Sequence, residues 1–162
     1  MQKVTPFLWF NAQAEEAARF YVSLFEDSRI ESVTRLNADT PSGPAGTVVT
    51  VEFTLGGTRF LALDGGPQFP FTEAVSFQVA CDDQVEADRL WDALCDGGTP
   101  GPCGWLKDRW GLSWQVVPNR VHELIQDADP ARARRAIDAL LRMGRLDVAA
   151  MERAADGTQS RR

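Results

Sequence analysis

Hydroxyl, amide and carboxyl side chains alternate with apolar ones along three short segments of this chain. Such alternation is typical of a β-strand with one polar and one apolar face. Groups of this chemistry on neighbouring strands can hydrogen-bond a small organic molecule, and the one carboxylate among them can also act as a general base. The polar set consists of Thr50, Glu52, Ser76, Gln78, Ser113 and Gln115.

Two tryptophans extend this candidate site. Trp105 and Trp110 flank a short polar stretch and are expected at the mouth of the site or at a subunit interface. Asp108, between them, is more typical of a turn than of a catalytic acid. Trp114 is out of phase with Gln115 and is expected in the core. The alternative, that the polar residues face bulk solvent on a one-sided antiparallel sheet, stays open at this point.

The elements that position these residues come in two similar modules. A ten-residue pattern at 16–25 recurs at 86–95, each time after a short apolar stretch, which predicts a strand and an amphipathic helix twice. The first module is predicted to continue with three strands over 29–36, 46–55 and 58–63, with a hairpin at Gly56 and Gly57.

The second module has the same predicted order but a weaker third strand. Pro100 and Pro102 restrict the segment 99–103 to an edge or irregular strand, because proline cannot donate to a central ladder. The other predicted elements are a strand over 75–81, a helix over 84–95, strands over 105–110 and 112–117, and C-terminal helices over 130–143, stopped by Gly144, and 147–155.

These elements define an α+β fold of two βαβββ modules. The modules are predicted to cover residues 1–66 and 67–118, with a C-terminal helical extension over 119–162, all in one compact domain of ordinary size.

Composition excludes several function classes. With a formal charge of −6 and no basic stripe, the chain is a poor match for nucleic acid. No apolar run is long enough for a membrane span and the N-terminus lacks a secretory signal, so a cytoplasmic location is expected. Cys81, Cys95 and Cys103 have no metal-ligand spacing and are predicted to be free thiols, of which only Cys103 is a candidate nucleophile.

Several motifs within this framework resemble the vicinal oxygen chelate superfamily, which contains glyoxalase I, bleomycin-resistance proteins and extradiol dioxygenases. More narrowly, the sequence is similar to the PhnB-like branch, widely labelled as a 3-demethylubiquinone-9 3-methyltransferase domain. The motifs are TPFLWFN at 5–11, AARFY at 17–21, DGGP at 64–67, WLKDRWGLSWQ at 105–115 and MGRLDVAA at 143–150.

The resemblance implies a curved mixed β-sheet cup with helices outside, often completed in a homodimer. The superfamily's metalloenzymes place ligands on the first and last strands of each module; here those positions hold Pro6, Leu61 or Ala62, Ser76 and Gln115. One amide is too few donors for a divalent ion, so no metal and no cofactor are expected.

The leading hypothesis is therefore a binding protein that holds a small organic molecule between Glu52, Gln78, Gln115 and aromatic walls, with its catalytic status open. One alternative is a metal-dependent lyase, isomerase or dioxygenase with Glu52 and Gln115 as ligands, or with Glu52 as base. Another is a structural dimer with a plugged cup. Methyl transfer is disfavoured, because no glycine-rich strand-to-helix loop is present.

Overall fold

The computed structural model describes residues 2–158, so the end of the predicted extension, residues 159–162, lies outside the described part. The chain divides into two compact units, the first ending at Phe71 and the second beginning at Thr72. Each unit contains one four-stranded mixed sheet. The α+β class, the two βαβββ modules and the C-terminal helices are confirmed.

The first unit follows the predicted order of strand, helix and three strands. Its sheet has the order β1-β4-β3-β2, with β1 parallel to β4 and the remaining pairs antiparallel. Gly56 and Gly57 both have positive φ (51° and 76°), as a two-residue hairpin turn of type I′ requires. The elements are β1 (Phe7–Phe10), α1 (Ala14–Leu24), β2 (Arg29–Arg35), β3 (Val48–Leu55) and β4 (Thr58–Asp64).

The core of the first unit lies between α1 and one face of this sheet. Tyr21 on the helix is fully buried, and its ring centroid lies 6.5 Å from that of Phe53 on β3. Alanines line the same helix face, so the helix can approach the strands closely. Because α1 covers the apolar face, the polar face of β3 with Thr50 and Glu52 is directed away from this core.

The second unit repeats the arrangement with shorter strands. Its sheet has the order β5-β8-β7-β6, with β5 parallel to β8. The third strand is a two-residue edge strand, as its prolines predict. The elements are β5 (Ser76–Cys81), α2 (Gln84–Cys95), β6 (Thr99–Pro100), β7 (Trp105–Lys107) and β8 (Ser113–Pro118).

A buried carboxylate organises the turn between β7 and β8. Asp108 is 3% exposed; it accepts hydrogen bonds from the backbone N–H groups of Trp110 (2.9 Å) and Leu112 (3.1 Å), and from the indole of Trp114 (2.9 Å). These bonds confirm the turn role of Asp108 and the core position of Trp114. They also end β7 at Lys107, three residues earlier than predicted.

Three helices form the extension: α3 (Asn119–Ile125), α4 (Pro130–Leu140) and α5 (Val148–Ala155). Side chains cap two of them, since Asp129 accepts from the N–H of Ala131 and Asp147 from that of Ala150. Helix α3 lies within the helical extension predicted from residue 119, but the sequence predicts no separate bounds for it, because it follows β8 directly without a side-chain cap. Helix α4 ends earlier than predicted, and Gly144 instead accepts a backbone hydrogen bond from Gly104.

Gln84, the first residue of α2, joins the extension to the rest of the second unit. Its amide oxygen accepts from the N–H of Val148 (2.9 Å), and its amide nitrogen donates to the carbonyl of Leu146 (2.8 Å). An apolar cluster joins Val117 of β8 to Leu124 and Met151 of the helices. The extension therefore shares a core with the second sheet. Across residues 2–158, every helix is too short or too polar to span a membrane.

Candidate functional site

Strand register places most of the predicted site residues on one face of the second sheet. Side chains directly opposite one another in a sheet share a face. One row runs across Ser76, Ser113 and Lys107, and the next across Gln78, Gln115 and Trp105. These six residues are called the polar face of the second sheet below.

Amide side chains crosslink this polar face. The Nε2 group of Gln115 donates to Oγ of Ser76 at 2.9 Å. The Nε2 atom of Gln78 lies 3.2 Å from Nε2 of His122, where the direction of donation depends on the imidazole tautomer. His122 lies on α3, and its contact with Gln78 was not predicted, because it depends on how the extension packs against the sheet.

A cavity of about 600 Å³ borders the same face. Its walls come from the segment 99–103, from β7, and from Ser113 and Glu73. Two prolines, Trp105 and Leu106 make much of this lining apolar, which is typical of sites for small organic ligands. Sequence reasoning treated 99–103 only as an irregular edge and therefore missed it as a cavity wall.

One polar side chain in the cavity wall is buried and lacks a partner. Ser113 is 1% exposed, and its Oγ has no hydrogen-bond partner among the residues that the structure describes. A buried hydroxyl without a partner costs about 1–3 kcal/mol. Such a group marks a position where a bound molecule can supply the missing hydrogen bond.

An ion pair lies at the rim of the cavity. Nζ of Lys107 contacts the carboxylate of Glu73, and the two side chains are 44% and 61% exposed. The hydrogen bond from Lys107 lowers the pKa of Glu73 below its usual value. Glu73 lies in the segment before β5, outside the strand pattern, and was not among the predicted site residues.

The cysteines behave as free thiols in different surroundings. Burial raises the pKa of Cys81 to about 12, and burial also raises that of Cys95. Cys103 lies in the cavity wall with φ of 56°, and its Sγ is 3.7 Å from the carbonyl oxygen of Leu140. The protonated state of the first two agrees with the prediction that they serve as small apolar residues.

The first sheet also has a polar face, but its composition is different. Glu52 shares this face with Leu61 and Phe7 through strand register, and Thr50 lies in the next row. Nε of Arg59 is 2.5 Å from Oε1 of Glu52, so the carboxylate that was a candidate base is already in an ion pair. The structure thus groups Thr50 and Glu52 on the first sheet and the other predicted site residues in the second unit.

Trp110 lies in the Asp108 turn rather than in the cavity wall. The guanidinium of Arg109 is 5.5 Å from the centroid of the Trp110 ring. Of the two tryptophans expected at the mouth of the site, Trp105 lines the cavity.

A second cavity, also of about 600 Å³, lies in the first unit beside the ends of β1 and β4. Its carboxylate, Asp64, accepts a hydrogen bond from the N–H of Ala14 at 2.8 Å and so fixes the start of α1. The indole of nearby Trp9 donates to the carbonyl of Gly66 at 2.8 Å. These polar groups therefore have structural partners, unlike Ser113.

The residues at the predicted ligand positions do not fit a divalent metal. Pro6 and Leu61 offer no side-chain donor, and the amide nitrogen of Gln115 is bonded to Ser76. Within residues 2–158, no group of three or more His, Cys, Asp or Glu side chains is placed to hold a metal ion. Because metal sites need three or four donors in fixed geometry, this set is too poor for one.

Comparison with known proteins places this architecture in a family. The family described as 3-demethylubiquinone-9 3-methyltransferase matches residues 2–117. A PhnB protein from Bacillus cereus is 38% identical, with a TM-score of 0.66, over 72% of this chain and 99% of that one. A protein from Pseudomonas aeruginosa is 25% identical, with a TM-score of 0.60, over 73% of this chain and 98% of that one. None of the curated proteins matches this chain.

The chain therefore belongs to the 3-demethylubiquinone-9 3-methyltransferase family, in which it is similar to a PhnB protein. The family match ends at residue 117, so the helices of the extension lie outside it.

Proposed function

We propose that this protein binds a small organic molecule in the cavity of the second unit and lacks the metal ligands usual in its superfamily. The observation that carries the proposal is the Ser113 hydroxyl, buried without a partner in the cavity wall. A ligand that hydrogen-bonds Ser113 would remove this cost on binding.

The rest of the polar face supports the same role. Trp105 supplies a large flat wall, which favours planar apolar groups. Ser76, Gln78 and Gln115 supply hydroxyl and amide groups in the adjoining rows. For Thr50, Glu52 and Trp110, a role in ligand binding stays a prediction.

Neither catalytic alternative gains support from the site. The metal-dependent reactions need a donor set that Pro6, Leu61, Ser76 and Gln115 do not provide. The methyltransferase description of the family would need a site for the methyl donor. The connections from β1 to α1 and from β5 to α2, residues 11–13 and 82–83, contain no glycine for a phosphate- or nucleotide-binding turn.

A chemically diverse fragment library tests the proposal. Thermal unfolding and ligand-observed NMR should identify molecules that stabilise the protein by mass action. Trp105→Ala should weaken these molecules by about tenfold or more, because it removes the largest apolar wall. Ser42→Ala, which changes the wall of the other cavity, is the matched control. Failure of every library member to bind, or equal binding by the Trp105 variant, would contradict the proposal.

We also propose a cytoplasmic homodimer. Phe7 and Phe69 are 57% and 65% exposed in the single chain, and Trp9 packs edge-on against Phe69 with centroids 5.0 Å apart. Exposed aromatic groups of this kind favour association. Light scattering after size exclusion should give twice the chain mass of 17.9 kDa, and a monomer at micromolar concentration would contradict the proposal.

A further inference from the structure

Three residues that line the cavity of the second unit carry hydrogen-bond donors and lie in one row of the sheet. Thr99 lies opposite Lys107 across β6 and β7, and Lys107 lies opposite Ser113 across β7 and β8. We infer that the ligand is a flat organic carboxylate whose carboxylate group binds Nζ of Lys107 and Oγ of Ser113. This inference rests on the proposed function and names the class of molecule bound.

Register brings the two groups within reach of one carboxylate. Directly opposed residues of an antiparallel pair have Cβ atoms about 4.5–5.5 Å apart, and both side chains project from the same face. The lysine contributes a mobile ammonium group with three donors, and the serine contributes one hydroxyl donor. A carboxylate can therefore accept from Lys107 with one oxygen and from Ser113 with the other.

Glu73 shows that a carboxylate is accommodated at Lys107. Its own carboxylate contacts Nζ there, and its side chain is 61% exposed. An ion pair this exposed contributes little to stability, so a ligand that also reaches Ser113 can displace it. Glu73 acts as an internal competitor, because it satisfies the charge of Lys107 without satisfying the Ser113 hydroxyl.

The charge of the cavity favours a carboxylate over a phosphate. Lys107 is the one cation among the described residues that line it, and Glu73 offsets part of that charge. Phosphate sites usually gather several cations or bidentate arginines. A single ammonium beside a neutral hydroxyl matches a singly charged group.

The remaining walls select the body of the ligand. Pro100, Pro102, Trp105 and Leu106 also line the cavity and are apolar. Rigid prolines and an indole offer flat apolar surface at little entropic cost. The combination of one charged end and apolar walls fits an aromatic acid or one of similar shape.

Calorimetric titration with matched ligand pairs tests the inference. The probes are benzoates, naphthoates and indole carboxylates, each compared with its own carboxamide, which keeps the shape but removes the charge. Carboxylates should bind at least about tenfold more tightly than their amides, since hydrogen bonds to charged groups are the stronger ones. Lys107→Met should remove that preference, and Ser113→Ala should weaken carboxylates by about tenfold.

Two further variants make the result specific. Glu73→Gln should tighten carboxylate binding by up to about fivefold, because it removes the competitor of an exposed ion pair. Lys3→Met changes the other lysine of the chain, in the first unit, and should leave binding unchanged. Melting temperatures of all variants show that they are folded.

The outcomes separate the inference from the proposed function. Amides that bind as well as carboxylates, in a protein where Trp105→Ala still weakens them, overturn the carboxylate assignment alone. A carboxylate preference that survives Lys107→Met overturns it as well. Absence of binding by any pair, together with absence of hits from the diverse library, overturns both.

Discussion

The two units share one arrangement of strands, but their sheets present different side chains on equivalent rows. Phe10 and Cys81 are the buried last residues of β1 and β5, and aligning them brings the central rows of the two sheets into equivalence. In the first unit this row holds Phe7, Leu61 and Glu52; in the second it holds Gln78, Gln115 and Trp105. The same row of the sheet is therefore largely apolar with one ion pair in the first unit, and carries two amides beside a cavity in the second. Only the side chains differ.

The comparison also corrects one position. Three residues separate β1 from α1, but two separate β5 from α2, and Ala12 in the longer connection has a φ of 60°. If the spacing between the two helix patterns is applied to the first strands of the units, their alignment is therefore shifted by one residue. The counterpart of Ser76 is Thr5 rather than Pro6, and its hydroxyl is not a usual metal ligand either.

The largest expected difference between the units concerns the turns before their last strands. The first unit turns on two glycines, whereas the second depends on the Asp108 carboxylate. Asp108→Ala removes the carboxylate that accepts from two backbone N–H groups and from the Trp114 indole in a buried turn, so it should destabilise the second unit by about 3 kcal/mol or more. Urea unfolding followed by tryptophan fluorescence measures the loss.

Asp138→Ala is the control for this change, because within residues 2–158 Asp138 makes an exposed i,i+4 ion pair with Arg134 and no other salt bridge. That variant should lose about 0.5 kcal/mol at most. Equal losses for the two variants would show that the turn does not depend on Asp108.

A second difference is sensitivity to alkaline pH. The buried thiol of Cys81 has a pKa raised from 9.0 to about 12, while the equivalent Phe10 does not titrate. The unfolded state then releases a proton at lower pH than the folded state. Stability from this group is complete below pH 9 and falls by about 1.4 kcal/mol per pH unit as the pH rises toward 12.

Cys81→Val should remove this loss of stability at alkaline pH. Unfolding curves between pH 8 and 11 measure the free energy of unfolding, and its slope against pH should be smaller in the variant by roughly that amount. Cys95→Val is the matched control, since its thiol is less buried. An alkaline slope that is identical in the wild-type and Cys81→Val proteins would rule out this thiol as the cause.

The smallest expected effect sharpens the contrast between two neighbouring serines. Ser113 is buried without a partner, so Ser113→Ala should stabilise the protein by about 1 kcal/mol. Ser76 accepts from Gln115, so Ser76→Ala should destabilise it by about the same amount. Differential scanning calorimetry should show melting temperatures that move in opposite directions, and a shared direction would contradict the assignment.

The sequence predicted the framework far better than the site. Repetition and alternation determined both modules, because these patterns reflect local geometry that each strand and helix imposes on its own residues. Alternation also placed Ser76, Gln78, Ser113 and Gln115 on one face. It did not reveal His122, Glu73 or the cavity wall at 99–103, since those approaches depend on tertiary packing across dozens of residues.

The extension has a consequence for protein engineering. The family match stops at residue 117, yet the carbonyls of Met143 and Gly144 accept hydrogen bonds from the backbone N–H groups of Cys103 and Gly104, beside the cavity. A chain trimmed after Pro118 would keep all strands of the second sheet but lose the support of that loop. Modules exchanged between relatives must therefore include the segment through α5. Recombination at residue 117, where the family match ends, would separate the loop beside the cavity from the segment that supports it.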